Sequence, residues 1–153
     1  MARITKLGIS SNGLLNSIEN IISKWNPPAL KNELAYSNDL AEFLRSALPE
    51  DARIEREYRH QGTTADLWVS YKGLMLNSEV FFEVKRNLKK KSDYDRLVGQ
   101  IQGLKPDKNN VIVVLVGETD IKFLDRLKEQ FAKYLENSWD GAELKIIAKQ
   151  QYD

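Results

Sequence analysis

A mixed α/β fold, a central sheet flanked by helices, is predicted by three features of this sequence. Apolar residues recur at helical spacing in four separate stretches. Three short segments of alternating character follow one another between residues 53 and 85. An uninterrupted apolar run, Val111 to Gly117 (VIVVLVG), lies between two of the helical stretches, as expected of a strand covered on both faces. The resulting order is helix, helix, three strands, helix, strand, helix, strand.

Leu14, Leu15, Ile18, Ile21, Ile22 and Trp25 mark the first helix, which Ser11 and Asn12 can cap and Asn26-Pro27-Pro28 stops. A second helix is expected from about Ala29 to Ala47, with Leu30, Leu34, Ala41, Leu44 and Leu48 as its buried stripe. Pro49-Glu50-Asp51 ends it, and the period then changes from helical to alternating. Arg53 to Arg59 (RIEREYR) is a strand with polar residues facing water, and Gln61-Gly62 is a turn. Thr63 to Tyr71 (TTADLWVSY) is a second strand, with Ala65, Leu67 and Val69 alternating on one side. Lys72-Gly73 and Asn77-Ser78 are turn signals around a short apolar piece, and Glu79 to Lys85 (EVFFEVK) is a third strand. Tyr94, Leu97, Val98, Ile101 and Leu104 return to helical spacing over Asp93 to Leu104. After the 105–110 loop and the apolar strand, Asp120 to Glu136 is an amphipathic helix and Leu144 to Ala148 a last strand. Trp25, Trp68 and Trp139 are expected to pack, Trp68 on the face that carries Asp66. His60, the one histidine, is expected at the surface.

A chain of 153 residues suits one domain over 1–153, with 1–28 as an N-terminal helical extension, 29–117 as core and 118–153 as a C-terminal helix and strand. Hydrophobic residues make up 42%, enough for a core, while 29% charged residues and a mean hydropathy of −0.48 describe a polar surface. The longest apolar run is too short to cross a bilayer. The opening MARITKLGISSNG lacks the apolar centre of a secretory signal, so a cytoplasmic placement is expected. The absence of cysteine excludes disulfides and thiolate metal sites. A net charge of +1 is not that of a protein that coats nucleic acid, so any such binding must come from a local patch. The densest basic run is Lys85, Arg86, Lys89, Lys90 and Lys91.

The chemistry is concentrated in Phe81-Phe82-Glu83-Val84-Lys85. Strand alternation points Glu83 and Lys85 the same way and Phe82 and Val84 the other way. Asp66 lies within an otherwise apolar strand, and a meander of the second and third strands would bring it to Glu83. Two carboxylates held close repel and invite a divalent cation. Magnesium suits such a pair, because it prefers oxygen ligands and keeps several waters. A lysine beside them can position or deprotonate water. A structural ion pair between Glu83 and Lys85 is the competing reading, since sheets carry such pairs commonly.

Asp66 followed by Glu83-Val84-Lys85 at the end of a strand resembles the D…(D/E)xK motif of the PD-(D/E)XK nuclease superfamily. Ala65 stands where that motif has proline. The family's restriction-endonuclease-like αβββαβ core matches the element order read from Ala29 to Gly117. The resemblance implies a Mg2+- or Mn2+-dependent endonuclease hydrolysing phosphodiester bonds in DNA. It implies a metal held by Asp66, Glu83, Val84 and a glutamate of the first core helix, and a catalytic role for Lys85. For that glutamate, Glu33 shares a helical face with Ser37, Leu40 and Leu44, whereas Glu42 turns away. The family often adds a glutamine on the helix after the motif, and Gln100, beside Leu97 and Leu104, is expected on that helix's inward edge. Arg86, Lys89, Lys90 and Lys91 would then bind DNA phosphates without reading bases. DNA is the expected partner, no membrane is involved, and a homodimer is compatible with the family. The sequence holds no helicase motif, so a motor or specificity function would come from a partner protein. The alternative is a non-catalytic DNA-binding or assembly module on the same fold.

Overall fold

The computed structural model describes residues 13–72, 77–135 and 143–150. Helix α1 (Gly13–Ser23) buries Leu14, Leu15, Ile18, Ile21 and Ile22 along one stripe. Just beyond it, Trp25 is buried and donates its indole N–H to Asp39 Oδ2 at 2.8 Å, so this tryptophan packs as expected. The candidate caps Ser11 and Asn12, and Trp139, lie outside the described residues.

Helix α2 (Glu33–Ala47) begins later than Ala29. Pro27 and Pro28 hold the chain extended ahead of it. Asn32 then takes the N-cap position, its side-chain oxygen accepting the Ala35 N–H at 2.8 Å. The buried face is centred on Ser37, Leu40 and Leu44, joined by Tyr36 and Ala41. Leu34 does not belong to it: the side chain is 50% exposed. It sits at the margin of that face in the first turn, whereas Glu33 lies on the centre line and looks toward the sheet.

Five strands form one sheet in the order β1 (Arg53–His60), β2 (Thr63–Lys72), β3 (Asn77–Arg86), β4 (Asn110–Gly117) and β5 (Leu144–Gln150). β1–β2 and β2–β3 are antiparallel, while β3–β4 and β4–β5 are parallel. Asn77 and Ser78, expected in a turn, are instead the first residues of β3 and pair with Lys72 and Tyr71. The β1–β2 hairpin turns through Gln61 (φ 50) and Gly62 (φ 84), the positive-φ pair that matches strand twist. The parallel crossovers are made by α3 (Lys91–Gly103) and by α4 (Ile121–Gln130) with α5 (Ala132–Leu135). The single helix expected over 120–136 is thus divided. Phe131 leaves helical geometry (φ −112, ψ 21) as its ring enters the core.

Two apolar layers sandwich the sheet. On one side α1 and α2 pack against Leu67, Val69, Phe82, Val84, Ile112 and Val114. On the other, α3 and α4 pack against Phe81, Val111, Val113 and Leu115. β4 therefore sends alternate residues into both cores, which accounts for its uninterrupted apolar sequence. Among the described residues, no helix is long and apolar enough to cross a membrane.

One irregularity interrupts β1 and β2. Ile54 and Val69, a cross-strand pair, belong to the α1/α2 core. Tyr58 and Ala65, also a pair, belong to the α3/α4 core although regular alternation would put them with Ile54 and Val69. Ala65 and Leu67 thus do not share a face, contrary to the sequence expectation. The faces exchange between them, at Asp66.

Gly117 and Gly62 both have positive φ, 72 and 84. A side chain at Gly117 would strike Asn87 Oδ1, which accepts the Glu118 N–H, whereas Gly62 faces open space. Gly62→Ala should cost about 1 kcal/mol for the left-handed backbone alone, and Gly117→Ala clearly more. Urea unfolding of the two variants checks that order.

Candidate active site at the parting of two strands

β2 and β3 stay paired only from Lys72–Asn77 to Leu67–Phe82. β3 continues to Arg86 alongside β4, while the first half of β2 follows β1. Past Phe82, the β2-facing edge of β3 has backbone donors without a ladder partner, and buried donors must be satisfied. Two carboxylates satisfy them. Asp66 Oδ2 accepts the Val84 N–H at 2.7 Å, and Glu33 Oε2 accepts the Arg86 N–H at 2.9 Å.

Glu83 lies between these two donors and is 2% exposed. Its carboxyl lies beside that of Asp66, close enough for each to shift the other's titration. Oε1 of Glu83 is buried with no hydrogen-bond partner, a costly state for a carboxyl group. Burial, then the Asp66 charge and hydrogen bond, then Glu33 push the Glu83 pKa up to about 9. Burial also raises that of Asp66, although the hydrogen bonds from Val84 and Glu83 oppose the rise. With its pKa held near 9 by burial and the neighbouring acids, Glu83 keeps a proton at neutral pH when no cation is bound.

Lys85 points into the same gap with a side chain 15% exposed. Its ammonium lies 3.2 Å from Glu33 Oε2 and 3.6 Å from Asp93 Oδ1. Glu33 comes from α2 on one side of the sheet and Asp93 from the first turn of α3 on the other. The opening between β2 and β3 is what lets both reach one lysine.

The structure thus brings Asp66, Glu83, Lys85 and Glu33 to one place, with Val84 as the backbone link. Glu33 is turned to Lys85 and the Arg86 N–H, and among the described residues no three histidine, aspartate or glutamate side chains form a metal cage. Glu42 lies away from the site and pairs with Arg45. Gln100 is exposed, not on the inward edge of α3. The inward positions are Tyr94, Leu97 and Ile101, and Gln100 shares the flank of Asp93 two turns, about 10 Å, further along the helix. Asp93 was not singled out from the sequence; a first-turn helix acid soon after the motif strand was its signal, but such acids usually answer only the helix dipole.

The basic run is mostly engaged. Arg86 donates its Nε–H to the Leu30 carbonyl at 3.0 Å, Lys89 pairs with Glu118, and Lys91 with Asp95 at 2.9 Å. Lys90 is exposed at the N-cap of α3. Glu118 follows β4 and Asp95 lies one helical turn on, so neither pairing is visible in the run itself. Trp68 is buried and packs as expected: Tyr58 stacks on it at 4.2 Å and the Arg53 guanidinium lies 5.2 Å from its ring centre. His60 is half-buried, 4.8 Å from the Phe81 ring, and not freely at the surface.

The donors at Asp66 and Glu83 are all oxygens, and Glu83 Oε1 is an unpaired buried one. That set fits a hard divalent cation such as Mg2+ or Mn2+, which needs few protein ligands and retains waters.

No known family model matches the chain, and no curated protein matches it. Among solved structures, it is similar to Pyrococcus furiosus SfsA in complex with Ca2+, with a TM-score of 0.47 and 18% identity over 77% of this chain. The alignment spans 58% of that protein, less than two thirds of its length.

A raised carboxyl pKa implies a definite pH dependence. Folded Glu83 keeps its proton to about 9 while the unfolded group loses it near 4.5, so metal-free stability should fall as pH rises through that window. Glu83→Gln removes the ionisable group and keeps a donor toward Asp66. At pH 8 without metal it should raise Tm by at least roughly 2–4 °C, for about 1 kcal/mol gained, and flatten the decline between pH 5 and 9. Melting curves across that range give the answer; a wild-type Tm that rises with pH throughout it contradicts the protonated Glu83.

Proposed function

We propose that this chain is a nuclease of the PD-(D/E)XK kind that hydrolyses phosphodiester bonds in DNA with Mg2+ or Mn2+. The observation that carries this reading is the buried Glu83, beside Asp66 with its Oε1 unpaired, two residues before a lysine in the same gap. A structural ion pair would leave Glu83 and Lys85 satisfied by each other. Instead Lys85 is held by Glu33 and Asp93, and Glu83 lies beside Asp66.

Asp66 and Glu83 would hold the cation through their carboxylate oxygens. Val84 adds its main-chain carbonyl: in an extended strand a residue's N–H and C=O point to the same side, and the Val84 N–H already points to Asp66 in the gap. The cation supplies Lewis acidity toward the phosphate and lowers the pKa of water. Lys85 sets its ammonium where it offsets charge on the phosphoryl oxygens and orients water. Glu33 and Asp93 fix the lysine between them, so its long chain needs no ordering when substrate arrives. Lys89, Lys90 and Lys91 flank the end of β3 and hold phosphates. Their pairs with Glu118 and Asp95 are exposed, and such pairs are weak enough to exchange for a phosphate.

Purified protein should cleave DNA with Mg2+ or Mn2+ and not with EDTA. Asp66→Ala and Glu83→Ala should abolish cleavage, and Lys85→Ala should lower it by about 10²-fold or more, all three remaining folded. Glu33→Gln should reduce turnover more than Glu42→Gln. Cleavage that survives Glu83→Ala places the reaction elsewhere, and metal-independent DNA binding without cleavage supports a non-catalytic module.

Replacing Lys89, Lys90 and Lys91 together by glutamine should weaken DNA binding and reduce the salt slope by up to about three, roughly one per phosphate contact. Mn2+ affinity should stay as it was. An unchanged slope puts the DNA path elsewhere, with Arg53, Arg56 and Arg59 of β1 as the next candidates.

A further inference from the structure

Glu57 lies inside β1 with φ 52, a left-handed conformation that side chains with a Cβ disfavour. The other described non-glycine residues of positive φ are Gln61, Asn87 and Lys105. Those three follow the ends of β1, β3 and α3, where a left-handed residue turns the chain. Glu57 turns nothing: the strand continues on both sides of it and pairs with β2 on both sides.

Its place in the register is informative. Arg56 pairs with Leu67 and Tyr58 with Ala65, so Glu57 and Asp66 face each other between those pairs. One residue intervenes on each strand, and the irregularity is therefore not a bulge with an extra residue. The two strands exchange faces together at this point, Ile54 and Val69 going to one core and Tyr58 and Ala65 to the other. Asp66 is left at the crossing of the two patterns, and its Oδ2 reaches sideways to the Val84 N–H at 2.7 Å. Glu57 is exposed and no core contact forces its conformation. Backbone strain held without a local packing reason tends to mark a functional site.

We propose that Glu57 is a positioning residue for the cation site: its left-handed backbone breaks the pleat of β1 and β2 and turns the Asp66 carboxylate edgewise onto β3, beside Glu83. The inference rests on the reading of Asp66 and Glu83 as cation ligands. The role belongs to the backbone, so replacements should rank by their tolerance of positive φ and not by charge or size.

Mn2+ titration by calorimetry of the full chain, with NMR of the Val84 amide, tests this on five variants. Glu57→Gln, which loses only the charge that acts on Asp66, sets the reference affinity, and Glu57→Gly and Glu57→Asn, which accept the left-handed region, should match it and keep the Val84 amide shift. Glu57→Val, β-branched and hostile to positive φ, should weaken Mn2+ binding by about tenfold from that reference and move the Val84 resonance. Glu57→Ala should fall between glycine and valine, and it carries the test if the valine variant does not fold. The reference affinity and an unmoved Val84 amide in folded Glu57→Val, or a Glu57→Gly as weak as valine, overturns the proposal. If the wild type itself binds no Mn2+, the cation reading fails, and the Val84 resonance alone then decides whether Glu57 positions Asp66.

Discussion

The parting of β2 from β3 after the Leu67–Phe82 pair is the constraint on which the site depends. A sheet edge opened inside a protein exposes N–H groups that cannot be left bare. Here the donors of Val84 and Arg86 are taken by the carboxylates of Asp66 and Glu33. Two acids are therefore stationed along one strand edge for a structural reason, and Glu83 is enclosed between them. The same opening admits Lys85 and lets helices on opposite sides of the sheet reach it through Glu33 and Asp93.

That arrangement stores a conflict. The Glu83 carboxyl is buried beside another acid and has one oxygen without a partner. Protonation relieves the repulsion between the two acids. A divalent cation would relieve the repulsion and give the unpaired oxygen a partner, which is the physical content of the nuclease reading. The conflict is tolerated because the surroundings are rigid. β3 is held to β4 along its whole second half, from Val80–Asn110 to Arg86–Val116, and both faces of β4 are packed. Glu83 sits on the central strand of a two-sided sandwich, and Asp66, on β2, is tied to that strand through the Val84 N–H.

Charge around the opening is divided in the same way. The carboxylates of Asp66 and Glu83 occupy the buried edge, one ammonium is locked among acids beside them, and the remaining lysines lie outside at the end of β3 and the start of α3. The near-neutral total charge conceals this separation. Under the proposed function, the rim would attract a phosphate chain while the interior carboxyls would hold a cation.

The element order, the sandwich class and the shared side of Glu83 and Lys85 were legible in the sequence because each rests on local periodicity, while the approach of Asp66 to Glu83 followed from the expected order of the strands. Helical and strand spacing show which residues share a face, and the apolar run of β4 declares burial on both sides. Glu33 was legible for the same reason, by its phase on α2. Three things were decided only by tertiary structure. The start of α2 depended on Asn32 capturing the Ala35 N–H, which moved the helix away from Ala29. Asp93 joined Lys85, and Gln100 did not approach it, because the position of α3 along the sheet fixes which turn reaches the opening. Asp66 took an edgewise direction that alternation does not contain, since the exchange of faces there is shared with Glu57 on a neighbouring strand. Periodicity is a property of one segment, whereas these three outcomes depend on what stands across from it.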